Sequence, residues 1–268
     1  MNLANKMVAY LRRNRSILFQ FIKRETVSRY KGSYLGFLWT FLTPMFMLMV
    51  YTFVFSEIFQ SKWQTGNTNK LEFAIIVFCG LTTYNIFAEV VSRSPSLVMS
   101  NVNYVKKVVF PLELFSLIAL GSTLVTATIN ILLIIIFTLV FMGSLSWTVL
   151  LLPIVLLPVV LFTLGLSWLL SSLGVYLRDI GQLIGIAIQS LMLLSPIFYS
   201  VNVIPADFKW FYYINPITYF VEDMRSILVW GTAPDLRVLL LEILVSALIC
   251  FAGLAWFRKT KKGFADVL

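Results

Sequence analysis

The chain has 268 residues, 59% of them hydrophobic and 12% charged, with 21 Lys or Arg against 12 Asp or Glu and no histidine. Soluble domains carry about 25% charged residues, so a soluble globular fold is excluded; the lack of histidine removes His-dependent base chemistry and the commonest metal ligand. The basic excess reads as membrane orientation, since Lys and Arg gather on the inner loops of membrane proteins, and no nucleic-acid partner is expected.

Residues 5–31 predict an amphipathic helix. At helical spacing Met7, Leu11, Leu18, Phe21 and Ile22 form one stripe, with Lys6, Arg12, Arg13, Lys23, Arg24 and Lys31 opposite. Arg15, Glu25 and Arg29 break the pattern by lying near the apolar side. Such a helix lies along the interface, beside anionic headgroups. The first 31 residues hold eight Lys or Arg and no compact apolar core before a small-residue cleavage site, so no cleavable signal is expected.

Six transmembrane spans follow, over 35–59, 71–91, 112–142, 147–176, 180–199 and 238–257. Leu114 to Leu177 is a run of 64 residues without a single charge. A hydrocarbon core of ~30 Å needs about 20 helical residues, so this run holds two crossings and the turn Gly143-Ser144-Leu145-Ser146. Pro153 and Pro158 are expected to kink the fourth span. Placing both termini inside puts sixteen basic residues on the inner side and five, Lys62, Lys70, Lys209, Arg225 and Arg237, on the outer side. An odd number of spans would put one terminal basic cluster outside. Glu89 and Glu242, near span ends, are expected to face water or headgroups. Cys79 and Cys250 read as buried small hydrophobes. No repeat or domain boundary is evident, and residues 1–268 form one all-α membrane domain.

Two connections carry more than a turn. Residues 93–107 form the inner loop after the second span. Ser94 reads as an N-cap with Pro95 at the first helical position, predicting a short helix Pro95–Asn101 that exposes Leu97, Val98 and Met99. Either a partner or the headgroup layer would cover those side chains. Between spans five and six, residues 201–230 are aromatic yet interrupted by Pro205 and Pro216. They predict two short re-entrant helices hinged at Asn215-Pro216, although Trp210, Phe211, Tyr212 and Tyr213 also suit an interfacial aromatic belt.

The spans hold no ion relay of the kind that coupled carriers place at membrane depth. There is no GxxxxGK[ST] motif and no Gly-Lys dipeptide, hence no phosphate-cradling loop. Acidic residues are scattered without a nucleophile and base held together, so an enzyme is not expected. If this chain pumps, another subunit does the work; the contrasting reading is a passive channel or structural membrane subunit.

The pattern Arg29-Tyr30-Lys31-x-Ser33-x-Leu35-Gly36-x-Leu38-Trp39 resembles the permease subunits of type-2 ABC exporters that secrete bacterial polysaccharides. Val105-Lys106-Lys107-Val108-Val109-Phe110-Pro111, Tyr176-Leu177-Arg178-Asp179 and Asn215-Pro216-x-x-Tyr219 follow in the same order as in that family. The resemblance implies two copies forming a channel in the bacterial inner membrane above two ATPase subunits, which hold ATP and Mg; this chain would carry no cofactor and no metal. It implies that Ser94, Pro95, Ser96, Leu97, Val98, Met99, Ser100 and Asn101 couple to the ATPase. Leu35 and Gly36 would lie at the inner mouth, and Trp210, Tyr213, Asn215, Pro216 and Tyr219 in the outer gate. The cargo would be a polysaccharide on a polyprenyl pyrophosphate, with O-antigen expected; an exporter of drugs or lipids is the alternative within the superfamily. On that reading Arg24, Arg29 and Lys31 would hold the anionic headgroup, unless they are topology anchors. The channel would be lined by aromatic rings, on which sugar C–H faces slide. Phe37, Phe41, Tyr51, Phe55 and Phe59 form one stripe of the first span and Trp39, Phe46 and Phe53 the opposite one. The Tyr51 stripe is the candidate lining, because a phenol hydroxyl has a use in a wet channel.

Overall fold

A computed structural model of the chain describes residues 3–29, 31–54, 70–106, 110–143, 145–177 and 179–268, with backbone only for 3–13, Phe37 and Lys70. Among the described residues every regular element is helical. In chain order these are α1 (Leu3–Ser28), α2 (Trp39–Thr52), α3 (Lys70–Arg93), α4 (Val102–Lys106), α5 (Leu114–Met142) and α6 (Leu152–Tyr176). Then come α7 (Ile180–Leu194), α8 (Lys209–Ile214), α9 (Pro216–Arg225), α10 (Leu236–Thr260) and α11 (Phe264–Val267).

Among the described residues four helical segments are long and apolar enough to cross a bilayer: Leu71–Ser96, Leu114–Met142, Trp147–Tyr176 and Leu236–Val267. Two of the six predicted spans are represented by shorter apolar helices, Trp39–Thr52 and Ile180–Leu194. At 1.5 Å per residue these rise only about 20 Å each. The fifth falls short of residue 199 because Ser195, preceding Pro196, is extended at φ −99° and ψ 151°, the conformation that a following proline favours. The first begins at Trp39, after a tight turn over Gly36–Leu38; residues 55–69, with Phe55 and Phe59, lie outside the described residues.

α3 is the most enclosed element: Ile76, Val77, Cys79, Ile86 and Val90 are fully buried. α5, α6 and α9 pack against it and α10 packs on α6; α5 and α10 turn Leu132, Ile136, Leu244 and Leu248 outward, each more than half exposed. An apolar outer surface over a packed interior is what a lipid environment requires. α6 and α10 meet backbone to backbone at Gly165 and Gly253, where a Cβ on Gly253 would stand 2.0 Å from the Gly165 carbonyl oxygen.

Both terminal segments dock at the same end of the bundle. Thr26 of α1 reaches Ser122 of α5 (3.3 Å). At the other terminus the Tyr176 hydroxyl, closing α6, donates to the Thr260 carbonyl of α10 (2.9 Å). Lys261 and Arg258 both reach the buried Glu113 carboxylate, at 2.5 and 3.7 Å, so these two cations are structural partners.

Several expectations are corrected. Pro153 does not kink a helix: it lies in the first turn of α6, where the amide it lacks has no helical acceptor, while Pro158 is the proline inside the helix. Arg225, counted as an outer-side charge, is fully buried. Glu242 is buried rather than turned to the surface, being 6% exposed. The segment after α3 is not a projecting helix Pro95–Asn101 but two tight 3-10 turns, Ser94–Ser96 and Met99–Asn101. Ser94 caps nothing with its side chain; its buried hydroxyl donates to the Val90 carbonyl (2.7 Å) and bonds Ser167 of α6 (2.8 Å). Leu97 and Val98 are buried within the chain's own core, so they need no outside cover. Gly174 permits this packing, because any Cβ there would stand 2.0 Å from the Pro95 carbonyl oxygen.

Candidate translocation groove

Four helices that each bring one face together bound a cavity of about 510 Å³. α2 gives Thr40, Pro44, Met47, Leu48 and Tyr51, and α3 gives Phe78, Leu81, Asn85, Ala88, Glu89 and Ser92. Thr126 and Asn130 come from α5, Ile188 and Met192 from α7. The spacings are those of a single helical stripe in every case. Trp39 and Thr43 complete the wall. The Tyr84 hydroxyl donates to the Ile188 carbonyl and fixes α7 to α3, while the Tyr51 ring packs 5.1 Å from that of Phe198.

The wall mixes aromatic and aliphatic surface with hydroxyls, two amides and a carboxylate. Two of its polar atoms, Thr40 Oγ1 and Asn130 Oδ1, are buried and have no hydrogen-bond partner. Buried polar groups are almost always paired, so these two present unmet capacity at membrane depth. The sequence reading missed Asn85, Asn130, Thr40, Thr43, Thr126 and Glu89. Its available signal was the pair of amides within otherwise apolar spans, since polar side chains there are expensive and tend to be functional.

Of the predicted lining, Tyr51 faces the groove, and so does Trp39 from the opposite stripe. Phe41 is half-buried and absent from the wall; Phe46 and Phe53 are exposed on other sides of the helix. The stripe therefore divides. The short rise of α2 leaves only the arc from Thr40 to Tyr51 against α3.

At one end of the groove four charged side chains tie α1 to α3. Arg29 pairs with Glu89, Arg93 Nη2 with Glu25 Oε1 at 2.5 Å, and Arg93 Nη1 approaches Glu89 at 3.8 Å. This explains why Glu25 and Arg29 fall on the less polar side of α1: their partners stand on α3. Of the three predicted headgroup cations, Arg29 is thus held by a carboxylate. Arg24 is exposed with its guanidinium 4.5 Å over the Phe21 ring, and Lys31 is exposed. Leu35 is exposed and Gly36 takes a positive φ of 49°, turning the chain into α2. Trp39 Nε1 donates to Ser33 Oγ across that turn (2.9 Å). In the nearby segment 94–101, Ser96 and Ser100 are exposed, Met99 and Asn101 partly so, and Ser94, Pro95, Leu97 and Val98 are buried.

At the other end, α8 and α9 form the short helical pair expected within 201–230, meeting at Asn215. Asn215 caps α9 by accepting from the Ile217 amide (3.0 Å) and donates to Ser195 Oγ (2.9 Å); Pro216 occupies the first turn. Tyr219 donates to the Tyr213 carbonyl (2.9 Å), and Trp210 and Tyr213 are more than half exposed. α9 ends in the buried Arg225. Its guanidinium donates to the carbonyls of Pro196 (2.6 Å), Ile197 (2.7 Å) and Ile76 (3.2 Å) and to Glu222 (2.9 Å). Gly80 leaves room for it, since a Cβ there would lie 2.6 Å from Arg225 Nη2.

A groove of rings, hydroxyls, amides and one carboxylate, sunk in a helical bundle with an apolar exterior, suits a helical membrane permease. The chain belongs to the ABC-2 type transporter family, whose pattern matches residues 17–229. It is 26% identical to the O-antigen export system permease protein RfbA of Klebsiella pneumoniae, over 94% of this chain and 95% of that one. It is 25% identical to the RfbA protein of Myxococcus xanthus over 97% and 98%, and 24% identical to the polysialic acid transport protein KpsM of Escherichia coli over 88% and 90%. A probable multidrug ABC transporter permease of Escherichia coli, YbhS, is 29% identical over only 38% of this chain and 27% of its own.

Proposed function

We propose that the chain is the channel-forming subunit of an ABC transporter that exports a lipid-linked polysaccharide, with O-antigen as the cargo. Likeness to polysaccharide exporters runs nearly end to end, whereas likeness to the drug permease is confined to a third of the chain. The observation that carries the reading is the groove. Sugar rings present apolar C–H faces and hydroxyls together, and the wall offers Trp39 and Tyr51 rings beside Asn85, Asn130, Thr40 and Thr43. Hydroxyls of a passing glycan find hydrogen-bond partners in the amides and hydroxyls of this wall.

In this assignment two copies face each other in the bacterial inner membrane with both termini cytoplasmic, and two separate subunits bind ATP and Mg and hydrolyse ATP. They dock against the exposed part of the 93–107 segment, Ser96, Met99, Ser100 and Asn101. The pyrophosphate-bearing headgroup arrives beside Arg24 and Lys31 at the mouth near Leu35 and Gly36, where it competes with Glu89 for Arg29. The pair α8 and α9, with Trp210, Tyr213, Asn215, Pro216 and Tyr219, closes the outer end. The test is Asn85→Leu with Asn130→Leu in cells lacking the native copy. Export should fall at least tenfold, as the loss of one polar contact of about 1.5 kcal/mol implies, and glycan-lipid should accumulate inside. Normal surface polysaccharide with both substitutions present removes the groove from the path.

A further inference from the structure

A second cavity, of about 440 Å³, opens between the outer helical pair and α10, away from the groove of Asn85 and Asn130. Tyr213, Ile214, Pro216, Tyr219 and Phe220 form one wall, with Arg237, Val238, Leu241, Glu242, Val245 and Ser246 opposite. Its rim is apolar and outward-facing: Ile214 is 72% and Leu241 63% exposed. Inside sits Glu242, 6% exposed, with neither carboxylate oxygen hydrogen-bonded. Asp223, whose Oδ2 is likewise buried and unpaired, is near enough to repel it. A buried carboxylate without a partner is strongly disfavoured, and a second acid beside it makes the deficit of positive charge worse. The cation on the same wall is Arg237, one turn and a half nearer the helix start. Its backbone amide caps onto Asp235 (2.8 Å), and its guanidinium pairs with no carboxylate among the described residues.

We propose that this cavity binds a phospholipid whose headgroup joins a primary ammonium to a phosphate. The ammonium donates to Glu242, the phosphate accepts from Arg237, and the acyl chains lie along Leu241, Val245 and the exposed leucines of α10. Three features select this ligand. The unpaired carboxylate asks for a cation with N–H donors, the guanidinium for a phosphate, and the apolar rim for a molecule arriving from the bilayer. Glu242 lies outside the groove of Asn85 and Asn130, and the wall opposite it belongs to the outer helical pair.

The test uses the full chain purified in detergent. Native mass spectrometry measures retained lipid after addition of dioleoyl phosphatidylethanolamine, phosphatidylcholine or phosphatidylglycerol. Phosphatidylethanolamine should be held about tenfold more tightly than phosphatidylcholine, whose quaternary nitrogen carries no N–H, as one charge-assisted bond implies. Glu242→Gln should erase that preference, and Arg237→Gln should weaken both lipids by a similar factor. Leu241→Trp, at an exposed rim position that leaves the packed interior untouched, should block all three. Equal retention of phosphatidylethanolamine and phosphatidylcholine by the native chain overturns the proposal. So does a preference that survives Glu242→Gln.

Discussion

Replacing Arg225 by Met tests whether the outer helical pair is held by one guanidinium. Three of the four partners named above are main-chain carbonyls. Ile76 keeps its place inside α3, but Pro196 and Ile197 lie in the stretch after α7, and their oxygens would be left in the interior. Each buried acceptor without a partner costs about 1–3 kcal/mol. Methionine has similar length and restores apolar packing, and Glu222, 34% exposed, can turn to solvent. The net loss is therefore set by the two carbonyls, about 4 kcal/mol. For chains of 150–250 residues 1 kcal/mol moves Tm by about 2–4 °C, giving a fall of about 8–16 °C in detergent. Arg225→Lys supplies one ammonium in place of a fork and should lose about half as much. Gly80→Ala reaches the same group from α3, since the new Cβ would stand 2.6 Å from Nη2 and push the guanidinium off its carbonyls. Alanine normally favours a helix interior over glycine by about 1 kcal/mol, so a loss at this position is diagnostic. In the Arg225→Met background, with the guanidinium gone, Gly80→Ala should cost far less, a coupling above about 1 kcal/mol. Thermal unfolding of the four proteins decides it. A Tm for Arg225→Met within 3 °C of native, or strict additivity with Gly80→Ala, refutes the clamp.

Gly253→Ala should separate α6 from α10, because its Cβ would meet the Gly165 carbonyl at 2.0 Å. Overpacking of this kind costs about 1–3 kcal/mol, and an unchanged Tm would show that the two helices do not touch there. Exchanging the charges of Glu25 and Arg93 tests the tie between α1 and α3: each single reversal should lower Tm and the double reversal recover most of it. The pair is partly exposed, so the effect stays below about 1 kcal/mol, and a double variant no better than the worse single one rejects the pairing. Asp223, in the outer helix α9, has its carboxyl pushed from the ordinary 3.8 to about 6 by burial, then by Glu222 and Asp235. The folded state then holds this proton more tightly than the unfolded one, so its contribution to stability is full below pH 3.8 and falls as pH rises through about 6. Asp223→Asn should flatten the Tm-against-pH curve between about pH 4 and 6; an identical slope in both proteins would contradict that burial.

Apolar length made the long helices legible. Leu114–Leu177 has no charge to interrupt it, and the two helices emerge with the turn at Gly143, whose φ of 75° suits glycine. What misled was local chemistry read without its neighbours. Ser94-Pro95 has the form of a helix start, yet α6 approaches so closely at Gly174 that the segment is drawn inward as tight turns and Ser94 spends its hydroxyl on Ser167. Pro196, which ends α7, was passed over because the aromatic residues beyond it continued the apolar run. Charges were read by the side of the membrane they would mark. That suits a loop residue, but Arg225, Arg258, Lys261 and Arg93 each find partners within the bundle that no count of basic residues reveals.

The candidate site was harder to see for a related reason. Polar side chains at membrane depth fall into two groups that sequence cannot separate and geometry can. Arg225 is buried with four partners, and the Ser94 and Tyr84 hydroxyls each bridge two helices; a group so engaged holds the scaffold and has nothing left for a ligand. Thr40, Asn130 and Glu242 are buried too, yet Thr40 Oγ1, Asn130 Oδ1 and both Glu242 carboxylate oxygens have no partner among the described residues. Each unmet atom is a standing penalty of about 1–3 kcal/mol, sustained where a visiting molecule periodically relieves it. The two cavities then differ in what relieves them. The groove presents amides and hydroxyls beside rings, its carboxylate Glu89 already held by Arg29, and suits weak, repeated contacts that let a polymer slide, whereas the second cavity presents an acid and a guanidinium, suited to one lodged zwitterion. Filling the first should stop transport, and filling the second should leave the groove open while removing the lipid.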